Sequence, residues 1–177
     1  MLFLVTALTM HSEESISENS AIGLKTVRYR EAVSFMIPRS WIEEDEPGLQ
    51  GTFFEPGDDT GTLRVSVMQW TGTDEEDRNR ILKAALLPGD IEVLKQGVYL
   101  KKEVKPGEEE GDALSLYRWI VALALPENVC RVVVFTHTVT KSSEEAPETI
   151  QELEVVDFAV RNAVFSYEPK IENVDVP

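Results

Sequence analysis

The stretch from residue 33 to residue 70 constrains the fold of this chain most, and its sequence is VSFMIPRSWIEEDEPGLQGTFFEPGDDTGTLRVSVMQW. An apolar segment at 33–37 is ended by Pro38, because proline cannot donate a hydrogen bond to a neighbouring strand. An aromatic segment follows at 50–55, and a third segment at 62–70 alternates apolar and polar side chains. Such segments, joined by short turns, predict an antiparallel meander. The pattern indicates an architecture and no reaction.

The alternating segment predicts two distinct strand faces, because successive side chains of a strand point in opposite directions. One face carries Leu63, Val65 and Val67, and the other carries Arg64, Ser66, Met68 and Trp70.

The rest of the chain predicts a helix, three long strands and a second helix. A capping box of Thr73 and Glu76 begins the first helix, and a second one is expected to begin the last helix at Ser142. Segments 113–125 and 129–140 are apolar on both faces, which is typical of central strands in a sheet covered on both sides. The predicted fold class is therefore α+β, with an antiparallel β-sheet covered by two main helices in an α/β/α-type sandwich.

The predicted domain occupies residues 25–166, preceded by an N-terminal extension and polar linker at 1–24 and followed by a flexible tail at 167–177. The apolar start, MLFLVTALTM, contains no Lys or Arg and is shorter than the about 20 residues that a spanning helix needs. It is interpreted as a docked element, a mis-assigned start or a weak export signal. A single cysteine, Cys130, fits the cytoplasm; the periplasm is the alternative if the apolar start belongs to an export signal.

The charge of the chain argues against two classes of partner. The 177 residues include 32 acidic and 17 basic ones, for a net charge of −15. A uniformly acidic protein repels nucleic acid and anionic membrane surfaces. The acidity either serves solubility or favours a basic protein partner. We therefore expect another protein as partner, with a homodimer as a further possibility.

Few side chains are suited to catalysis. The histidines are His11, in the polar linker, and His137, on an apolar strand. Cys130 lies seven positions before His137 on the same strand, and residues seven apart point to opposite faces, so the two do not form a nucleophile–base pair. Zinc-ligand spacing and a glycine-rich phosphate loop are both absent from the sequence. We therefore expect no catalytic residue, no metal and no cofactor.

Two groups of residues are candidate sites. Arg118 and His137 are possible polar centres of a pocket between sheet and helix, although each also fits a structural role, Arg118 as an ion pair and His137 as a satisfied core side chain. Trp41, Met68 and Trp70 are a possible partner-binding surface, since aromatic and methionine side chains are favoured at such surfaces. The alternatives are that a helix covers Met68 and Trp70, and that Trp41 packs under the meander as a core anchor.

Several of these residues also resemble a known family. The Phe35-x-x-Pro38-x-x-Trp41 corner, the aromatic strand end at 53–56 and the alternation at 63–67 resemble the PsbP-like and DcrB-like proteins, and the order of elements extends the resemblance over residues 25–166. That superfamily includes a photosystem subunit, a Ran-binding nuclear transport factor, a bacterial envelope protein and chaperones of type VI secretion effectors. The resemblance implies a scaffold for binding proteins and transfers no catalytic residue.

The leading hypothesis is a small, non-enzymatic protein-binding or chaperone-like module. One alternative is a small-ligand-binding protein or enzyme that uses a pocket around Arg118 and His137. Another is an acidic dimeric chaperone of a different secretion system.

Overall fold

The computed structural model describes residues 23–45, 51–57 and 60–166. The predicted N-terminal extension and C-terminal tail lie almost wholly outside these ranges. In chain order the elements are β1 (Leu24–Tyr29), β2 (Val33–Pro38), β3 (Ile42–Asp45), β4 (Gly51–Phe54), β5 (Thr62–Thr71), α1 (Glu75–Leu86), β6 (Ile91–Lys95), β7 (Val98–Glu109), β8 (Asp112–Ala124), β9 (Val129–Thr140), a short 3-10 turn (Lys141–Ser143), α2 (Pro147–Arg161) and β10 (Val164–Phe165).

A seven-stranded antiparallel sheet forms the centre of the fold. Its strands are ordered β3-β4-β5-β9-β8-β7-β6. The two strands predicted to be central, β8 and β9, lie inside this sheet and pair with each other from Leu114–Thr140 to Ala124–Cys130. The predicted α+β class, with an antiparallel sheet and two helices, is confirmed.

The first two strands leave the main sheet, which the sequence did not predict. With β10 they form a second sheet of order β1-β2-β10. The chain turns after Pro38, where the Trp41 amide donates to the Pro38 carbonyl at 3.2 Å, and it enters the main sheet as β3. The charged segment 43–48, EEDEPG, predicts a solvated loop, and this prediction was wrong for residues 43–45, which belong to β3. Glu43 and Glu44 suit an exposed edge strand because charges there discourage pairing with other chains.

Each face of the main sheet is covered differently. On one face, Leu82 and Leu86 of α1 pack on a small cluster with Ala122 and Val132. On the other face, α2 and the second sheet enclose the main core, which includes Phe35, Trp41, Phe53, Leu63, Val65, Phe135, Val156 and Val160.

Both helices begin later than the capping boxes predicted. The side chain of Asp74 caps α1 by accepting from the Asp77 amide at 2.8 Å. The segment predicted to open α2 at Ser142 forms the 3-10 turn, and α2 begins at Pro147, where proline is suited to a first helical turn. Neither helix in the described part of the chain is long and apolar enough to cross a membrane.

Helix α1 covers only half of its sheet face. Along β9 the side chains toward α1 are the buried Cys130, Val132 and Val134, followed by the half-buried Thr136 and Thr138. The prediction that 129–140 is covered on both faces was therefore correct for the first half of β9 and wrong for the second. Threonine tolerates this position because its hydroxyl can meet solvent while its branched side chain suits a strand.

Candidate functional site

A buried His–Glu pair joins β9 to α2. His137 Nε2 lies 2.9 Å from Glu152 Oε2, and the same oxygen accepts a hydrogen bond from the Gly61 amide at 2.9 Å. His137 is fully buried and Glu152 is 8% exposed. A Cβ atom at position 61 would lie 2.3 Å from His137 Nε2, so only glycine allows this approach. Glu152 of α2 therefore forms hydrogen bonds with both β9 and the segment before β5.

Trp41 closes this cluster from the side of the Pro38 corner. Its ring stacks on His137 with centroids 6.2 Å apart and an interplanar angle of 15°. Its Nε1 donates to Glu55 Oε2 at 3.1 Å, and the residue is 2% exposed. A cleft of about 330 Å³ opens beside Trp41, and its acidic lining includes Glu55, Glu148 and Glu152. Nε2 of His137 is occupied and its ring is covered, which suits a structural role, whereas its Nδ1 is buried without a partner within the described ranges.

The proposed surface of Trp41, Met68 and Trp70 is not formed. Met68 and Trp70 are 40% and 42% exposed on the α1 side of β5, whereas Trp41 is buried in the core on the α2 side. The sheet separates them, because the corner after Pro38 directs Trp41 under the opposite face. Any role of Met68 and Trp70 in binding would thus not involve Trp41.

Arg118 and His137 do not share a pocket either. In the β8–β9 register His137 pairs with Tyr117, so the neighbouring Arg118 points to the opposite face. There Arg118 Nη1 bonds Glu103 Oε1 at 2.7 Å, which is the ion pair that the sequence allowed. Hydrogen bonds from Lys101 and then Lys105 hold the pKa of Glu103 below its ordinary value against the effect of burial.

Cys130 is a buried thiol on the α1 side of β9, opposite the face of His137. Burial raises its pKa above the ordinary value of 9.0, and Arg78 opposes this only in part. Since the thiolate is the reactive form, we expect thiol reagents to label the native protein far more slowly at neutral pH than the urea-unfolded chain. The native rate should still increase above pH 9.0. Native labelling as fast as labelling in urea would contradict this prediction.

Sequence reasoning missed the surface between α1 and β6. Strand β6 is an edge of the main sheet. Leu87, Ile91 and Val93 are 54%, 41% and 63% exposed. A groove of about 820 Å³ lies between α1 and β6, and these three residues line it together with Leu82, Leu86, Tyr99 and Ala124. The sequence indicates this surface through two apolar residues, Ile91 and Val93, which lie two positions apart directly after Pro88-Gly89, where the first helix has ended.

The other side of β6 is closed by ion pairs. Arg161 at the end of α2 donates from Nη1 and Nη2 to the two carboxylate oxygens of Glu92, at 2.7 and 3.0 Å. Hydrogen bonding to Glu92 and then Asp157 raises the pKa of Arg161, and bonding from Arg161 lowers that of Glu92. These contacts hold β6 from the α2 side and leave its α1 side open. Within the described ranges, no three His, Cys, Asp or Glu side chains are grouped as metal ligands.

Comparison with known proteins shows similarity at the level of fold. No protein-family model and no curated protein matches this chain. A solved structure from Bacteroides thetaiotaomicron aligns with 81% of this chain at 19% identity and a TM-score of 0.53; the match spans 49% of that protein, so this chain corresponds to about half of it. LpqN of Mycobacterium tuberculosis, described as involved in cell envelope biogenesis, aligns with 81% of this chain and 91% of its own length, at 13% identity and a TM-score of 0.56. Membership of the PsbP-like and DcrB-like superfamily stays a prediction.

Proposed function

We propose that this chain is a non-enzymatic, chaperone-like module that binds an extended segment of a partner protein by strand addition at β6. The observation that carries the proposal is the position of β6 at the edge of the sheet formed by the described residues, with the exposed Ile91 and Val93 beside the groove against α1. An edge strand presents unpaired N–H and C=O groups, and an added strand satisfies them.

The geometry of the groove specifies the chemistry of the bound segment. Ile91 and Val93 lie two positions apart and share a strand face. Alternate side chains of an added strand would enter the same groove, and these should be apolar. Glu75, Arg78 and Lys83 all line the groove, so its lining is mixed in charge, whereas the chain as a whole carries a net charge of −15. From the charge of the whole chain, and not from that of the groove, we infer that basic residues flank the apolar core of the partner segment.

Three observations support binding over catalysis. His137 is fully buried with its Nε2 occupied, and Cys130 is on the opposite face with a raised pKa. The resemblance to PsbP-like and DcrB-like proteins, whose superfamily is mostly non-enzymatic, implies a scaffold for binding proteins. The cytoplasmic location stays a prediction, with the periplasm as its alternative; the link of LpqN to envelope biogenesis is the observation that favours the alternative.

A synthetic peptide of roughly eight residues, alternating Val and Thr between terminal lysines, serves as a probe for this surface. We expect saturable binding by fluorescence anisotropy, and slower hydrogen exchange of the β6 amides when the peptide is bound. The double change Ile91→Ser and Val93→Ser should weaken binding at least about tenfold, because two apolar contacts are lost. Val104→Ser is the matched control, since Val104 is 55% exposed on the other face of the same sheet.

Two outcomes would contradict the proposal. One is equal weakening by Val104→Ser, or amide protection confined to other strands. The other is a concentration-dependent dimer that the Ile91 and Val93 changes abolish, which would assign β6 to a second copy of this chain.

A further inference from the structure

We propose a separate binding site for the phosphate group of a small soluble compound, on the half of the sheet face that α1 leaves uncovered. A pocket of about 240 Å³ lies there, lined by Arg64, Ser66, Leu116, Thr136 and Thr138. It is independent of the β6 surface, since it is built from β5, β9 and β8.

Strand register places two arginines on either side of one threonine. Thr136 pairs with Arg64 of β5 and with Arg118 of β8. Neighbouring strands lie about 4.8 Å apart, so the two arginine backbones are separated by roughly 10 Å; Arg64 and Thr136 line the pocket, and Arg118 lies outside its lining. We call the residues that pair across neighbouring strands in this way the Arg64 row. It continues to Thr52, which pairs with Arg64, and to Glu103, which pairs with Arg118.

The two arginines differ in whether a carboxylate neutralises their charge. Arg118 is paired with Glu103. Arg64 is half-buried and makes no hydrogen bond or ion pair with any other residue in the described ranges. A guanidinium presents several N–H donors in a planar fork that matches phosphate oxygens. Arg64 is thus a half-buried cation whose N–H donors meet no acceptor within the described ranges.

The hydroxyls around Arg64 are available as well. Those of Ser66, Thr136 and Thr138 form no hydrogen bond to the part of the protein that the structure describes. Thr52 is 3% exposed, and its Oγ1 is buried without a partner. Thr52 does not line the pocket, so the donors offered to a ligand there are the Arg64 guanidinium and the hydroxyls of Ser66, Thr136 and Thr138.

The local charge is opposite to that of the chain. Among the described residues, the charged side chains of the Arg64 row and of the two adjoining rows on this face are Arg64, Arg118, Lys101 and Lys105 against Glu44 and Glu103. Cations therefore predominate in a chain whose net charge is −15. A tetrahedral phosphate can accept from the guanidinium and from hydroxyls on two strands at once, whereas a planar carboxylate engages fewer of these donors. The charge of the whole chain disfavours an anionic lipid surface as the source.

Inorganic phosphate is the probe, titrated into the full chain at constant ionic strength with chloride as the balancing anion and followed by amide shifts in NMR. We expect saturable shifts at 64–66 and 136–138. Arg64→Gln should weaken binding at least about tenfold, because a charge-assisted hydrogen bond is lost. Thr136→Val should weaken it severalfold without destabilising a strand that valine suits. Arg28→Gln removes the same charge from an exposed position on β1 and should leave the affinity unchanged.

Three results would overturn the inference. They are the absence of saturation, equal loss of affinity in Arg28→Gln and Arg64→Gln, and equal binding of acetate, which would make the pocket a general carboxylate site. Thermal unfolding of each variant establishes that it is folded, and Thr136→Val provides the test if Arg64→Gln does not fold.

Discussion

Trp41→Ala is expected to lower the free energy of unfolding by about 3–5 kcal/mol, the range for truncating a buried tryptophan. Trp41 is 2% exposed, stacks on His137 and donates to Glu55. Alanine would leave a cavity under the Pro38 corner and an unstacked imidazole beneath it. The loss should appear in urea unfolding as a lower midpoint with an unchanged m-value.

Trp70→Ala is the control for this experiment, because Trp70 is 42% exposed on the other side of the sheet. It should cost less than about 1 kcal/mol, as for most surface substitutions. A loss for Trp41→Ala that is no larger than the loss for Trp70→Ala would show that the corner is not packed as described.

Glu152→Ala is expected to cost about 3 kcal/mol, because removing one partner of a buried pair strands the other. Two groups lose their acceptor, His137 Nε2 and the Gly61 amide. His137→Gln should cost less than His137→Ala, since the glutamine amide can still donate to Glu152. Neither change at position 137 should alter peptide binding at β6, because His137 lies in the core on the other side of the sheet.

A double-mutant cycle between positions 137 and 152 measures the pair directly. We expect a coupling energy above about 0.5 kcal/mol, as is found for residues in contact. Glu154→Ala is the control on the same helix, since Glu154 is exposed and Glu152 is buried. Equal small losses for the two glutamates, or additive effects in the cycle, would mean that the buried pair contributes nothing specific.

Local pattern was sufficient to predict the long strands. In β5 the strict alternation of 62–70 identified both the strand and its two faces, and in β8 and β9 long apolar runs identified strands inside the sheet. These features depend only on the period of the side chains. Three short strands, β3, β6 and β10, were missed, whereas β4, also of four residues, was predicted from its aromatic residues Phe53 and Phe54.

The candidate sites could not be assembled from local pattern. The two-residue period of a strand shows which of its residues share a face. Deciding whether residues of two different strands share a face also requires the register in which the strands pair. Pairing of Tyr117 with His137 put Arg118 on the opposite face, and pairing of Arg64 with Thr136 brought together two residues of the pocket proposed to bind phosphate. Register results from the packing of the whole sheet, and a shift of one residue would exchange every face.

The sequence by itself determined the fold class, the central strands, the position of the Pro38 corner and the unsuitability of Cys130 and His137 as a catalytic pair, because each follows from side-chain period, proline chemistry or strand parity. Only the tertiary structure decided that Trp41 stacks on His137, that α1 stops short over β9, and that β6 forms an open edge. These outcomes depend on which elements meet in space and how much of each face they cover, and no local segment encodes that coverage.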